Sequence, residues 1–257
     1  VQECSTTNWS ARGDSVLGNW MGGPDLAQIS CRFTDWSAPA QDSLHFGTFQ
    51  YRMVGSFTDC QFHSGRFTFW NYAPSATSVA VTNSLFERVH HSMDDSPGPL
   101  SPLFRNCLFV GGSLILYHEG AGAWTFQDNL FDQTGITQEE GSMDAAYNGY
   151  TPGSDHLMPT NANDVVASIT YETGPLGNYY LPTNSSLINT GSAAANLVGL
   201  YHYTTQTNQL KETTSLVDIG YHYVAVNGSG VAADSDGDGF SDYLEDADGN
   251  GTYDASD

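Results

Sequence analysis

The sequence predicts an all-β fold, a right-handed parallel β-helix (solenoid) over residues 1–226. A short linker at 227–233 and tandem cation-binding loops at 234–257 complete it. Three observations carry this reading. Five short segments match residue by residue and each closes on phenylalanine. No stretch shows the 3.6-residue apolar period of long helices. The last 24 residues hold nine acids and no base.

The repeat comes first, because missing one miscalls the whole architecture. The segments are Ile29-Ser30-Cys31-Arg32-Phe33, Phe57-Thr58-Asp59-Cys60-Gln61-Phe62, Val81-Thr82-Asn83-Ser84-Leu85-Phe86, Phe104-Arg105-Asn106-Cys107-Leu108-Phe109 and Phe126-Gln127-Asp128-Asn129-Leu130-Phe131. The closing phenylalanines are spaced by 29, 24, 23 and 22 residues, and the first copy is one residue short. Coils stacked roughly 4.8 Å apart would align such residues in ladders. A β-sandwich also has short strands, but it does not predict a match every ~23 residues. The leading apolar residue and the closing Phe lie five apart, an odd spacing that a flat strand would send to opposite faces. A corner must therefore intervene. Asp59, Asn83, Asn106 and Asp128 are the residues to turn it, because Asn and Asp tolerate the left-handed conformation.

Cys31, Cys60 and Cys107 share one ladder position in this alignment, and Cys4 lies 27 residues before Cys31, as if one coil earlier. On that reading the coils are already under way at Val1, and chain is missing upstream. Cys107 is expected to stay free. A Cys4–Cys31 or Cys31–Cys60 bridge is compatible with the placement, and four free thiols are the mild preference.

After Phe131 the register loosens. Val165–Tyr171 and 177–187 read as strands, and Tyr201-His202-Tyr203 and Tyr221-His222-Tyr223 as two edge strands. The run from Asn178 to Val226, with its Leu-Ile-Asn-Thr-Gly-Ser and two Tyr-His-Tyr triplets, resembles the closing segment of secreted bacterial right-handed β-helix proteins. The resemblance implies a cap on the last coil, and relatives of mixed activity.

The tail carries the sharpest chemistry. Asp234, Asp236, Asp238, Phe240, Asp242 and Glu245 occupy positions 1, 3, 5, 7, 9 and 12 of a twelve-residue loop with Gly239 at position 6. That is the EF-hand-type calcium pattern: alternate carboxylates converge on one hard cation, the carbonyl of Phe240 adds a ligand, and the Gly permits the sharp turn. Asp246, Asp248, Asn250, Thr252, Asp254 and Asp257 repeat it at once. The expected cofactor is calcium, two ions. The loops abut, leaving no room for paired flanking helices, so they resemble thrombospondin type 3 repeats or dockerin-like tails. The competing reading is a disordered acidic linker.

Charge narrows the partners. With 29 acidic against 7 basic side chains, a net charge of −22, binding to nucleic acid or an anionic membrane surface is disfavoured. No apolar run reaches membrane-helix length. His90, His91, Asp94 and Asp95 could hold a metal, though a solvated loop explains them as well. Arg66, Arg88, Glu87, Asp94 and Asp95 are the thin set available to a polysaccharide lyase or hydrolase. Arg12-Gly13-Asp14 spells an adhesive tripeptide that arises readily by chance. The expectation is therefore a non-catalytic, calcium-stabilised structural or adhesive module of a larger bacterial surface or matrix protein. It would be extracellular or at the cell surface, and could self-assemble through coil ends. The alternative is a polysaccharide-active enzyme or a glycan-binding module.

Overall fold

The computed structural model describes residues 3–7, 10–12, 15–19, 27–38, 44–48, 53–71, 76–95, 98–139, 141 and 143–253, with side chains from residue 28 onward except at 44–48. It is a parallel β-solenoid of three seven-stranded sheets. The first stacks Glu3–Thr7, Ala27–Arg32, Met53–Thr58, Thr77–Thr82, Leu100–Arg105, Thr125–Gln127 and Asp144–Ala146. The second stacks Asp35–Ser37, Gln61–His63, Leu85–Glu87, Leu108–Val110, Leu130–Asp132, Gly149–Tyr150 and Val165–Val166. The third runs from Ser10–Arg12 and Ser15–Asn19 through Leu44–Thr48, Arg66–Trp70, His90–Asp94 and Ser113–Tyr117 to Gly135–Glu139. Among the described residues the only helical turns are Ala195–Leu197 and Asp242–Glu245.

The phenylalanine ladder stands, with one correction. Phe62, Phe86, Phe109 and Phe131 are register partners on successive coils. Their rings stack at 4.9, 5.1 and 4.9 Å, within 13° of parallel. Tyr150 continues the stack at 5.3 Å, and Trp36, not Phe33, begins it. Cys31 pairs with Phe57 and Arg32 with Thr58, so Phe33 falls at the corner beside Asp59. No residue is missing from the first copy: Cys31-Arg32-Phe33-Thr34-Asp35-Trp36 matches 57–62 position for position, and Cys31 belongs to the ladder of Phe57, Val81, Phe104 and Phe126.

The corner residues behave as their chemistry requires. Asp59, Asn83, Asn106 and Asp128 all adopt φ between 43° and 59°, and so do Phe33 and Tyr147 at the same rung position. A second corner, at Ser64, Arg88, Gly111 and Gln133, also has positive φ. Beside it Gly112 has no room for a side chain, since an added Cβ would lie 2.1 Å from the Val89 carbonyl oxygen.

Beyond the first corner Cys60, Ser84, Cys107, Asn129 and Asn148 form a buried polar ladder. The Ser84 hydroxyl and the Asn129 and Asn148 side-chain carbonyls accept from the Cys60, Cys107 and Asn129 amides at 3.0–3.2 Å. Cys60 and Cys107 are free thiols, whereas Cys31 is disulfide-bonded, contrary to the expectation of four free thiols. Cys4 sits directly opposite Cys31, but its strand Glu3–Thr7 runs antiparallel. It is not part of an earlier parallel coil.

The C-terminal segment does not lie over the last coil. That end is covered by residues 151–158: Leu157 is fully buried in the coil core and His156 stacks on Tyr150 at 4.0 Å. Instead, residues 187–226 form a strap that runs back along the outside of the stack. Leu85, Leu108 and Leu130, one residue before each stacked Phe and hence on the outer face, pack against Leu187, Ile219, Tyr221 and Tyr223. The strap is fastened along the corner ladder. Ser192 donates its amide and hydroxyl to Asp128, both at 2.6 Å; the Asn106 amide donates to the Asp218 carbonyl; Asn83 exchanges two hydrogen bonds with His222; and the Tyr203 hydroxyl donates to Asp59 at 2.9 Å. The two Tyr-His-Tyr triplets contribute the paired strands Tyr203–Thr204 and Tyr223–Val224. Residues 227–233 form a turn, with Asn227 and Val231 hydrogen-bonded and Val226 bridged to Ala232.

Burying carboxyls along this seam sets a pH dependence. Desolvation holds Asp59 and Asp128 above the ordinary carboxylate range, and desolvation with the nearby Glu212 charge pushes Asp218 up to about 6. For Glu212, desolvation is outweighed by its hydrogen bond and charge attraction to His222, which hold it low. A carboxyl with a raised native value takes up protons more readily when folded, so its ionisation costs stability as pH rises through the native value. Asp59, Asp128 and Asp218 act in that sense; Glu212 opposes them, and so does His202, which desolvation and the Lys211 charge hold below its ordinary value. Between pH about 7.5 and about 5.5 the Asp218 contribution should therefore appear as a thermal midpoint that gains more, or loses less, on acidification in wild type than in Asp218→Asn. Melts followed by near-ultraviolet dichroism check this; a pH slope of the midpoint that Asp218→Asn leaves unchanged contradicts it.

Candidate metal centre

The two loops of the tail share one backbone plan. Gly237 and Gly239, positions 4 and 6 of the first loop, have φ of 77° and 102°; Gly249 and Gly251, the same positions of the second, have 67° and 92°. Glycine takes this conformation at no steric cost. It turns the amides inward. In the first loop the two Asp234 carboxylate oxygens accept from the Gly237 and Gly239 amides at 2.8 and 3.1 Å. Asp236 accepts from the Asp238 amide and Asp238 from the Phe240 amide.

This winding brings Asp234, Asp236 and Asp238 together, with one carboxylate oxygen of each within 4.8 Å of the others. The helical turn Asp242–Glu245 then carries Glu245 back toward them. Slight desolvation and the charges of Asp236, Asp238 and Asp234 hold Glu245 above its ordinary value. Asp242 faces Ser235, whose amide and hydroxyl donate to it at 2.7 and 2.9 Å. Those donors and Lys211 outweigh its slight desolvation and hold it below the usual range. The Phe240 side chain is exposed, so that residue has only its carbonyl to offer a cation.

The second loop is better enclosed. Asp246 is 3% exposed and accepts from the Asn250 and Gly251 amides at 3.0 and 2.6 Å. Asn250 donates to Asp248, while its own Oδ1 is buried with no donor in reach. A buried acceptor without a donor is costly, and a hard cation at loop position 5 would satisfy it. The donor set, all oxygen, suits such an ion. Thr252 follows at position 7 on an exposed turn; Asp254 and Asp257 lie outside the described residues. Asp236, Asp242 and Glu245 of the first loop and Gly251 and Thr252 of the second share a cleft of about 310 Å³ with His202.

The tail is docked, not dangling. Tyr243 meets Phe33 of the first corner edge-on at 5.4 Å, and the Tyr201 amide donates to the Gly249 carbonyl. Asp246 pairs with His202 at 3.0 Å and Asp242 with Lys211 at 3.8 Å. Nothing in the loop pattern signals these partners, because the strap that supplies them is not legible as a strap.

The other candidates are dispersed. His91 points into the core among Phe67, Phe86 and Phe109, whereas His90 bonds the Ser113 hydroxyl on the outer face. Asp95 is buried and accepts from Trp124 at 3.1 Å, with His118 at 2.7 Å. Glu87 is held by His63 and Arg88, both at 2.9 Å. Arg66 and Asp94 lie on neighbouring strands at opposite ends, Arg66 beside His90 and Asp94 beside Trp70. Gly13 and Asp14 of the adhesive tripeptide lie outside the described residues.

One larger groove, about 520 Å³, opens between the first coils, the strap and the tail, walled by Phe33, Asp35, Tyr221, Val231 and Tyr243. Comparison of the chain with protein-family models, with curated proteins and with solved structures returns no match to any of them. The chain is thus placed by its own geometry, as a parallel β-solenoid with a strap along one side and a docked acidic tail.

Proposed function

We propose that this chain is a non-catalytic, calcium-stabilised structural module of an extracellular or cell-surface protein, in which the tail binds two calcium ions. One observation carries the reading: the tail converges three carboxylates in its first loop and, in the same winding, buries an acceptor oxygen without a donor in its second. Bound calcium supplies positive charge to residues that otherwise repel one another. Asp234, Asp236, Asp238 and Glu245 would hold the first ion, with the Phe240 carbonyl and Asp242 completing its shell. Asp246, Asp248, Asn250 and the Thr252 carbonyl would hold the second, with Asp254 and Asp257. A ligand that binds only the ordered tail must stabilise it by mass action.

The structural half of the reading rests on how the acids and bases outside the tail are used. Glu87, Asp95, Asp128 and Asp218 are committed to bonds that hold coils and strap in place. With residues 151–158 covering the last coil, self-assembly would have to use the other end or the flanks.

Calorimetric titration should find two calcium ions per chain, with Kd values no weaker than about 10⁻³ M. Chelation should expose new protease cleavage after Ala233 while the coils stay protected. A tail equally protected with and without chelator, or a titration without heat or binding, would rule the sites out. A polysaccharide panel scored for new reducing or unsaturated ends tests the non-catalytic half; turnover abolished by changing a groove carboxylate would overturn it.

A further inference from the structure

The residues that dock the tail are also those placed to shape its loops. Asp246, position 1 of the second loop, receives the Gly251 amide on Oδ2 at 2.6 Å and the Asn250 amide on Oδ1 at 3.0 Å. His202 of the strap also reaches Oδ2, through Nε2 at 3.0 Å. The carboxylate is therefore clamped on one oxygen by two donors from different parts of the chain. Its other oxygen lies on the side of Asn250, whose Oδ1 is buried without a donor.

The same strap reaches the first loop. Lys211, the only lysine in the sequence, lies 3.8 Å from Asp242 and 3.4 Å from His202 Nδ1. Asp242 in turn fixes Ser235 across the first loop. One residue beyond His202, Tyr203 donates to the buried Asp59 at the solenoid corner. A continuous set of contacts thus joins corner, strap and both loops.

Metal-ligating carboxylates are commonly oriented by outer partners, whose loss weakens metal binding roughly 10–100-fold. We propose that His202 is such a positioning residue for the second calcium loop, with Lys211 supporting the first, so that calcium binding and docking of the strap are reciprocally coupled. The inference rests on the calcium reading above. Reciprocity is thermodynamic: whatever strap docking adds to calcium affinity, calcium adds to strap docking. The ion then fastens residues 199–204 and 221–226 to the solenoid, and not the tail alone.

The test uses the whole chain and calcium alone as the probe. Titration of wild-type protein, His202→Ala, His202→Gln and Lys211→Met gives ion number and affinity, and hydrogen exchange with and without chelator reads the strap. His202→Ala should weaken one of the two ions at least tenfold and leave the other within about threefold. His202→Gln, which keeps an N–H donor, should recover most of that loss. In wild type, chelation should raise exchange at 199–204 at least fivefold, and His202→Ala should abolish that response. Two ions bound by His202→Ala at wild-type affinity, or strap exchange indifferent to chelator in wild type, would overturn the coupling while leaving the calcium sites intact. Wild-type protein that binds no calcium overturns the underlying reading instead. If His202→Ala is unfolded by circular dichroism, the wild-type exchange response and Lys211→Met, which should weaken the other ion several-fold, decide the matter.

Discussion

Phe109→Ala is expected to destabilise the fold by about 3–5 kcal/mol, the cost of truncating a large buried aromatic to a residual cavity. Phe109 is 1% exposed and lies mid-stack, with Phe86 on one face and Phe131 on the other. Its edge also meets His91 at 5.2 Å, so the rings that would have to close the cavity are themselves held by neighbours. Coils above and below share a continuous backbone ladder and cannot collapse inward separately. Urea unfolding measures the loss. Phe33→Ala supplies the contrast: that side chain is half-buried at the corner and off the stack, and its truncation should cost less than half as much. Equal losses at the two sites would contradict the register with Trp36 at the head of the stack.

Asp128→Ala should cost a similar amount, about 3–5 kcal/mol, by a different route. The carboxylate is fully buried and receives the Ser192 amide and hydroxyl, with Arg105 at 3.7 Å. Removing it strands two donors and a partly buried cation between solenoid and strap, and each donor left unpaired costs about 1–3 kcal/mol. The damage should be local. Hydrogen exchange is expected to rise first across 187–226 and only later in the coils, and Asp128→Asn, which keeps one acceptor for Ser192, should recover part of the loss. Uniform loosening of the coils, with the strap no worse than the rest, would show that the seam is not where the energy lies.

Much of the solenoid was legible because its stacking forces like residues into line. A ring that stacks must recur, and an Asn or Asp at a left-handed corner recurs for the same steric reason. The first copy misled because Trp36 stands where the later coils carry the stacked Phe, so that the corner residue Phe33 lined up with them in its place; the Phe33 ring packs instead against Tyr243. The second corner left no trace, since Ser64, Arg88, Gly111 and Gln133 have backbone geometry in common and no chemistry. The strap had a signal that the repeat contained but did not announce. Leu85, Leu108 and Leu130 precede their phenylalanines, and two adjacent apolar residues on a strand bury both faces of its sheet. In the tail the loop spacing, acids at alternate positions with glycine at the sixth, is plain in the sequence. His202 and Lys211 are not, because they reach the loops only once the strap has folded along the coils.

Cys60 and Cys107 have a consequence for experiment. Burial pushes both thiols up to about 12, so in the closed molecule they are protonated and shielded, and an alkylating reagent finds no thiolate. They sit two rungs apart on one ladder, with Ser84 between them. Each modification therefore requires the coil around that particular sulfur to breathe open. The pair is a built-in set of two stopwatches at different heights, and the order in which they start tells whether the stack frays from its beginning or from its end.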